Sequence, residues 1–234
     1  MWYFRSLHRH VLRELKAAAP RGAAVLDAGC GTGGLIKSLA KGDASWRFTG
    51  IDFMPLACDL AQKRCGPKTE VKVASITALP FGNAAFDAVV SADVVCQVPN
   101  PEAAVQEFFR VLKPGGVLIV NVPAYQWMWS YHDVTCQTHH RYTRKELLTL
   151  LERGGGTDLK ATHWNALMFP AIWAKRKIFR SDRDTSDVKP YPRPVEWAGR
   201  ALTNVEHAWL NLGGAWAWGT SVFAVARKPV TGAQ

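Results

Sequence analysis

The chain is predicted to fold as an α/β protein, in which seven short strands alternate with helices and form a mostly parallel sheet with helices on both faces. Two observations carry this. Apolar runs of strand length, at 25–27, 47–52, 71–75, 86–91, 117–122, 159–164 and 221–226, alternate with segments of helical period. The first run ends in Asp27 and opens into Ala28-Gly29-Cys30-Gly31-Thr32-Gly33-Gly34, ahead of an amphipathic segment from Leu35 to Lys41. That order reads as strand, tight turn and helix N-terminus. Glycines there allow positive φ and close backbone approach, and the first helical amides point outward as unsatisfied donors, so the corner suits a polar or anionic ligand.

Each element has its own justification. Apolar residues at 4, 7, 11, 12 and 15 give residues 1–19 a helical spacing that Pro20-Arg21-Gly22 ends. Arg47 to Asp52 is the second strand, and a helix with proline near its start runs from Pro55 to Arg64. Val71 to Ser75 and Phe86 to Ser91 are the third and fourth strands. Asn100-Pro101-Glu102 combines an N-cap, a proline at the first helical position and a first-turn acid, so a helix runs to about Leu112. Lys113-Pro114-Gly115-Gly116 breaks it before the fifth strand, Val117 to Val122. Residues 125–143 read as a loop. Thr143-x-x-Glu146 is a capping box for a helix from Arg144 to Arg153, closed by Gly154-Gly155-Gly156. Leu159 to Trp164 is the sixth strand, 165–180 is helical in period, 181–194 is a charged, proline-containing surface loop, 195–212 is a helix and 221–226 is the last strand. Residues 229–234 are a tail expected to fray.

Composition narrows the function classes. At 234 residues the chain fits one large domain or a domain with a sub-domain. No apolar run reaches the roughly 20 residues that span a bilayer, and Arg5, Arg9 and Arg13 interrupt any leader-like start, so a cytoplasmic protein with no membrane partner is expected. Five cysteines, at 30, 58, 65, 96 and 136, contain no C-x-x-C pair, which points to reduced thiols and to no metal site. The net charge of +10 raises nucleic acid as a partner, but the excess is spread along the chain. Its densest cluster, Lys175-Arg176-Lys177 with Arg180, reads as a solvated helix face, and nucleic acid is not the expected partner.

Gly29, Gly31 and Gly34 satisfy the G-x-G-x-x-G spacing of dinucleotide sites, which leaves a nicotinamide oxidoreductase open. Asp27 weighs against it, because a carboxylate at the strand tip repels a pyrophosphate and suits a cationic amino-acid moiety. With that acid the run resembles motif I of the class I S-adenosylmethionine-dependent methyltransferases. Asp52 stands at the second strand tip, where a carboxylate accepts both ribose hydroxyls. Phe86-Asp87-Ala88-Val89 resembles the family's F-D-x-V, and Leu112 to Gly116 its L-K-P-G-G. Trp127 to Arg144 resembles the W-x-x-H-D … H-x-R-R-Y-T segment of a bacterial small-molecule branch. His139 falls one place late there, and His140 stands where an arginine is usual.

The resemblance implies a Rossmann-like fold with its last strand antiparallel, an N-terminal helix over the cofactor (1–20), a cofactor-binding core (21–124), and an aromatic cap with the rest of the sheet (125–228), all in one domain. It implies S-adenosylmethionine as cofactor, S-adenosylhomocysteine as product, and contacts from Asp27, Gly29, Gly31, Thr32, Gly33, Asp52, Phe53, Met54, Ser75, Ile76 and Asp93. Serine replaces a frequent aspartate at 75, and Gln97 a frequent histidine.

Methyl transfer from a sulfonium is an in-line displacement that needs positioning and proton management but no metal. His139, His132 and His140 are the candidate bases, with Asp133 able to orient one of them, while Arg141 and Tyr142 anchor the loop. Trp2, Tyr3, Phe4, Gln97, Trp127, Trp129, Tyr142 and Trp164 are the candidate acceptor-side residues. Their aromatic character suits a planar small molecule, and the chain resembles indole C3-methyltransferases that form pyrroloindolines. An RNA methyltransferase shares the cofactor motifs, but the chain shows no RNA-binding module, N-P-P-Y-type run or continuous basic stripe.

Overall fold

A computed structural model describes residues 1–178 and 191–230. Its elements in chain order are α1 (Trp2–Ala18), β1 (Ala24–Ala28), α2 (Gly34–Gly42), β2 (Arg47–Asp52), α3 (Pro55–Cys65), β3 (Glu70–Val73), β4 (Phe86–Ala92), α4 (Pro101–Val111), β5 (Leu112–Pro123), α5 (Tyr131–Thr135), α6 (Arg144–Arg153), β6 (Thr157–Trp164), α7 (Phe169–Lys177), α8 (Arg193–Asn211) and β7 (Ser221–Arg227). Arg180, the end of the helix read at 165–180, positions 181–190 of the loop read at 181–194 and positions 231–234 of the tail read at 229–234 lie outside the described residues, and α8 takes in the last two positions of that loop.

Seven strands form one sheet in the order β3-β2-β1-β4-β5-β7-β6. The first five pair in parallel, and β7 runs antiparallel between β5 and β6. Central strands are buried on both faces, so their residues alternate between two cores. Val25, Val90 and Ile119 join Leu7, Val11 and Leu15 of α1 and Ile36 and Leu39 of α2. Leu26, Val89 and Leu118 join Phe108 of α4 and Leu147 and Leu151 of α6 on the opposite face. Strand order reverses where β1 lies between β2 and β4, and the crevice past the carboxyl ends of β1 and β4 is where ligands bind in such sheets.

Four segments differ from the sequence reading. The 125–143 segment is not open loop: a 3₁₀ turn forms at Gln126–Met128, and α5 follows behind a second capping box, with Ser130 at the N-cap and Asp133 in the role of the usual glutamate. β3 ends at Val73, and Ser75 enters a turn bridged to Ala78. Leu112 already pairs with Phe86, so the Lys113-Pro114-Gly115-Gly116 break lies inside β5 as a register shift. α7 starts only at Phe169, because Asn165 adopts φ +58° and Glu206 of α8 accepts from the Asn165 (2.8 Å) and Leu167 (2.7 Å) amides, which holds the segment in a turn ahead of the helix.

Candidate active site

The Gly-rich corner is fixed by backbone before any ligand enters. Gly29 and Cys30 amides both donate to the Ile51 carbonyl at 2.8 Å, folding the chain over the end of β2. Gly29 has φ +94°, and a Cβ there would collide with the Val94 side chain. Gly31 has φ +50°, yet a Cβ on it would meet nothing within 4 Å, so its missing side chain leaves open space at the cavity wall. Gly33 serves packing: a Cβ would stand 2.7 Å from Cys65 Sγ, where α2 crosses α3, and Gly33 is not a cavity wall.

Two carboxylates face this corner in different states. Asp52 accepts the Gly31 amide at 2.9 Å on Oδ2 and the Met54 amide at 3.0 Å on Oδ1, and each oxygen keeps a lone pair for a further donor. Asp27 is 2% exposed and neither of its oxygens has a hydrogen-bond partner. Burial, with the neighbouring Asp52 charge second, pushes its carboxyl up to about 7. A buried carboxyl without partners is costly unless a ligand completes it.

Both line a cavity of about 670 Å³, within the usual range for ligand pockets. Gly29, Gly31 and Thr32 also line it, as do Trp2, Tyr3, Phe4, Asp93, Gln97 and His132. Asp93 follows β4 with φ +62°, an uncommon conformation for a side-chain-bearing residue. Asn121 Nδ2 donates to its Oδ1 at 2.7 Å and the Tyr3 hydroxyl to its Oδ2 at 3.1 Å. Burial pushes this carboxyl up to about 6, against the opposing pull of those bonds and of the Arg141 charge. Trp164 is buried behind the cavity, not in its wall; its indole N–H donates to Asn121 Oδ1 at 2.7 Å and its ring stacks on Tyr3.

The remaining sequence candidates lie outside the cavity wall. Phe53, Met54 and Ser75 are exposed beyond Asp52, and Ile76 belongs to the core. Trp127 is exposed and stacks on Tyr125, Trp129 offers its carbonyl to Lys177 Nζ at 2.9 Å, and Tyr142 is buried in the core. His139 is exposed and held through its amide, which donates to the Cys96 carbonyl at 2.7 Å. His140 stands 3.8 Å from Glu146. Of the three histidines only His132 is a wall, with Nδ1 3.6 Å from Cys136 Sγ. Asp133 faces Arg141 rather than a histidine: the pair is buried at 2.7 Å, and Arg141 Nε donates to the Ala124 carbonyl at 2.8 Å. Among the described residues no cluster of metal-ligating side chains occurs.

Sequence reading missed Arg64, whose Nη1 donates to Thr32 Oγ1 at 2.7 Å at the rim, and Ser221, within 3.2 Å of the Tyr3 hydroxyl. Helical register gives Arg64 away only once α3 is placed beside the turn. Ser221 opens a strand that shows in sequence only as apolar residues.

Residues 26–120 match the family described as methyltransferase domain. The chain carries a class I S-adenosylmethionine-dependent methyltransferase domain. It is 38% identical over 103 residues to 2-methyl-6-phytyl-1,4-hydroquinone methyltransferase of Synechocystis sp., covering 43% of this chain and 32% of that protein. It is 25% identical over 210 residues to 24-methylenesterol C-methyltransferase 3 of Arabidopsis thaliana, covering 88% and 54%. The chain thus spans between a third and about half of these relatives. The fold is similar to that of Haemonchus contortus phosphoethanolamine N-methyltransferase 2 in complex with S-adenosyl-L-methionine, with TM-score 0.64, 17% identity and coverage of 94% and 52%. S-adenosylmethionine is the cofactor of this domain, and the residues here fit it. Asp27 is a carboxylate lacking a cation, Gly31 leaves room where a side chain would intrude, and Asp52 is a fixed acceptor at the second strand tip.

Proposed function

We propose that the chain transfers a methyl group from S-adenosylmethionine to a small, planar aromatic acceptor in the cytoplasm, in preference to a nucleic acid. The observation that carries this is that Asp27, buried and without a partner, shares one cavity with Asp93 and the aromatic residues Trp2, Tyr3 and Phe4. When bound, the cofactor supplies an electrophilic methyl on a sulfonium and leaves as S-adenosylhomocysteine. Asp27 meets the cationic amino-acid end and Asp52 takes the ribose hydroxyls. Gly29 and Gly31 let the backbone approach. Trp2, Tyr3 and Phe4, from the N-terminal helix, hold the acceptor and exclude water.

The proton of the acceptor goes to Asp93. A carboxyl titrating near 6 is ionised at neutral pH and basic enough to take up a proton as the nucleophile attacks. Tyr3 and Asn121 fix both of its oxygens, and His132 on the same wall is the second proton-handling group. Aromatic walls favour indoles, phenols and hydroquinones, and an indole C3 acceptor closing to a pyrroloindoline is the narrowest form of the reading.

Calorimetry with S-adenosylmethionine and NAD tests the cofactor, with binding of the first and none of the second expected. Incorporation of labelled methyl into indoles, tryptophan-containing cyclic dipeptides, phenols, hydroquinones, sterols and RNA tests the acceptor. Methylation of RNA alone overturns the acceptor reading and leaves the cofactor reading standing.

A further inference from the structure

Helix α8 buries a largely polar face. Beside Gly199 and Leu210 that face carries Thr203, Glu206 and His207, and each of these three is partnered: Thr203 Oγ1 donates to the Gly199 carbonyl at 2.7 Å, Glu206 accepts the two amides described above, and His207 Nε2 lies 3.1 Å from Ser6 Oγ. Its outer face, continued into the following turn, carries Trp197 (74% exposed), Val205 (58%), Trp209 (48%) and Leu212 (84%). Trp209 lies 6.4 Å from Trp216, and Trp216 as far from the half-exposed Trp218, so the apolar surface continues past the helix end. Scattered exposed apolar residues are ordinary, but a Trp-rich stripe over a largely polar inner face is the pattern of a docking surface.

Charge selects the occupant. Arg193 and Arg200 are exposed on α8, and from α1 Arg9 reaches Asn204 at 2.7 Å and Arg13 reaches Asn211 at 3.3 Å, so arginines border the stripe. The acids of α8 are both taken up inside: Glu206 is buried, and Glu196 is largely covered, 3.9 Å from Arg200. Among the described residues the face therefore offers apolar and positive groups and α8 itself turns no exposed carboxylate outward, while Arg13 at its border is paired with Glu14 of α1 at 2.6 Å, in a chain of net charge +10. Two such faces would repel each other, which disfavours a second copy. Tryptophan rings seat at the headgroup level of a bilayer while arginines meet lipid phosphates.

We propose that α8 docks the protein on the surface of an anionic phospholipid bilayer. The expectation of no membrane partner rests on the lack of a spanning run, and among the described residues no helix is long and apolar enough to cross a membrane. An interfacial helix needs no such run. Trp2 is both a cavity wall and the ring against which Gly199 on the buried face of α8 packs, so the docking helix backs directly onto the cavity wall.

Co-sedimentation of the full chain with vesicles of phosphatidylcholine alone, or mixed with phosphatidylglycerol, tests this. Binding to the phosphatidylglycerol vesicles is expected, at least about tenfold weaker to phosphatidylcholine alone and weakened by salt. The double variant Trp197→Glu with Trp209→Glu should lose about tenfold or more in vesicle affinity and keep its calorimetric affinity for S-adenosylmethionine, which shows that it is folded and makes the result independent of the proposed reaction. No binding to phosphatidylglycerol vesicles, or equal binding by the variant, overturns the proposal. A dimer seen by light scattering that the variant dissolves does so as well, in favour of a second copy.

Discussion

The two sides of the cavity are assembled from different distances along the chain. On the cofactor side the Gly-rich turn, α2 and β2 form one local unit, in which the tie from Gly31 to Asp52 spans 21 residues, and even Arg64 at the rim is only 32 residues from Thr32. On the acceptor side Tyr3 meets Asp93 across 90 residues and Ser221 across 218, and α5, α7 and β7 contribute further walls. The first side is set by turn geometry alone, while the second exists only when α1 and β7 are both in place. Damage to one side should therefore read out as lost binding with the fold intact, and damage to the other as lost turnover or lost stability.

The largest effect is expected at the foundation of the acceptor side. Asp133→Ala leaves the buried Arg141 guanidinium without its carboxylate and also removes the α5 cap, so stability should fall by about 3–5 kcal/mol in denaturant unfolding. A loss below about 1 kcal/mol would mean that water reaches this pair. Next comes Asp93→Asn, which keeps shape and removes basicity: kcat should fall about 10²-fold or more, with S-adenosylmethionine affinity nearly unchanged. A parallel loss of cofactor affinity would merge the two sides into one.

On the cofactor side Asp52→Ala should weaken S-adenosylmethionine binding by about 2 kcal/mol, from two charge-assisted bonds lost, with no change in unfolding cooperativity. Gly31→Val should leave a folded protein that no longer binds cofactor, because the branched side chain enters open cavity space. Asp27 gives the same side a pH signature. Its carboxyl titrates near 7 in the unliganded fold and near 4 when unfolded, so without cofactor the stability it contributes is complete below about pH 4 and is lost as pH rises through 7. A bound cation favours the ionised form, so cofactor binding below pH 7 should release a proton. Affinity should then fall by up to about tenfold per pH unit below 7 and stay flat above it. Asp27→Asn should bind more weakly and lose that slope; a slope that survives in the variant belongs to another group.

The same difference in distance explains what the sequence disclosed. The alternation of strands and helices and the glycine-rich corner were legible because strand period, glycine spacing and the carboxylates at 27 and 52 are local signals, whereas the antiparallel last strand was implied only by the family resemblance. The Thr143 capping box was legible for the same reason, and the Ser130 box was passed over only because an aspartate replaces the usual glutamate. Aromatic density and histidine content drew attention to 127–142, yet Trp127 and His139 are exposed and Tyr142 is buried in the core. Residue type does not reveal which way a side chain turns in a segment without fixed period. Asp93 as a titrating group depends on Tyr3 and Asn121, and no window of sequence contains all three.

The smallest effect, and the sharpest discriminator between the two accounts of the acceptor side, is expected at His139. By residue type it was the leading base, but its side chain is exposed and outside the cavity wall, and what holds the residue is its backbone amide on the Cys96 carbonyl. Alanine keeps that amide. His139→Ala should therefore stay within about twofold of the parent in turnover on the best acceptor, far below the 10²-fold or more of a lost general base. His132→Ala, which changes the wall itself, should cost more than that and less than Asp93→Asn. If instead His139→Ala falls by tenfold or more with S-adenosylmethionine affinity intact, the 131–140 segment must swing inward when acceptor binds, and the proton would go to an imidazole delivered by that motion rather than to the carboxyl that Tyr3 and Asn121 hold in place.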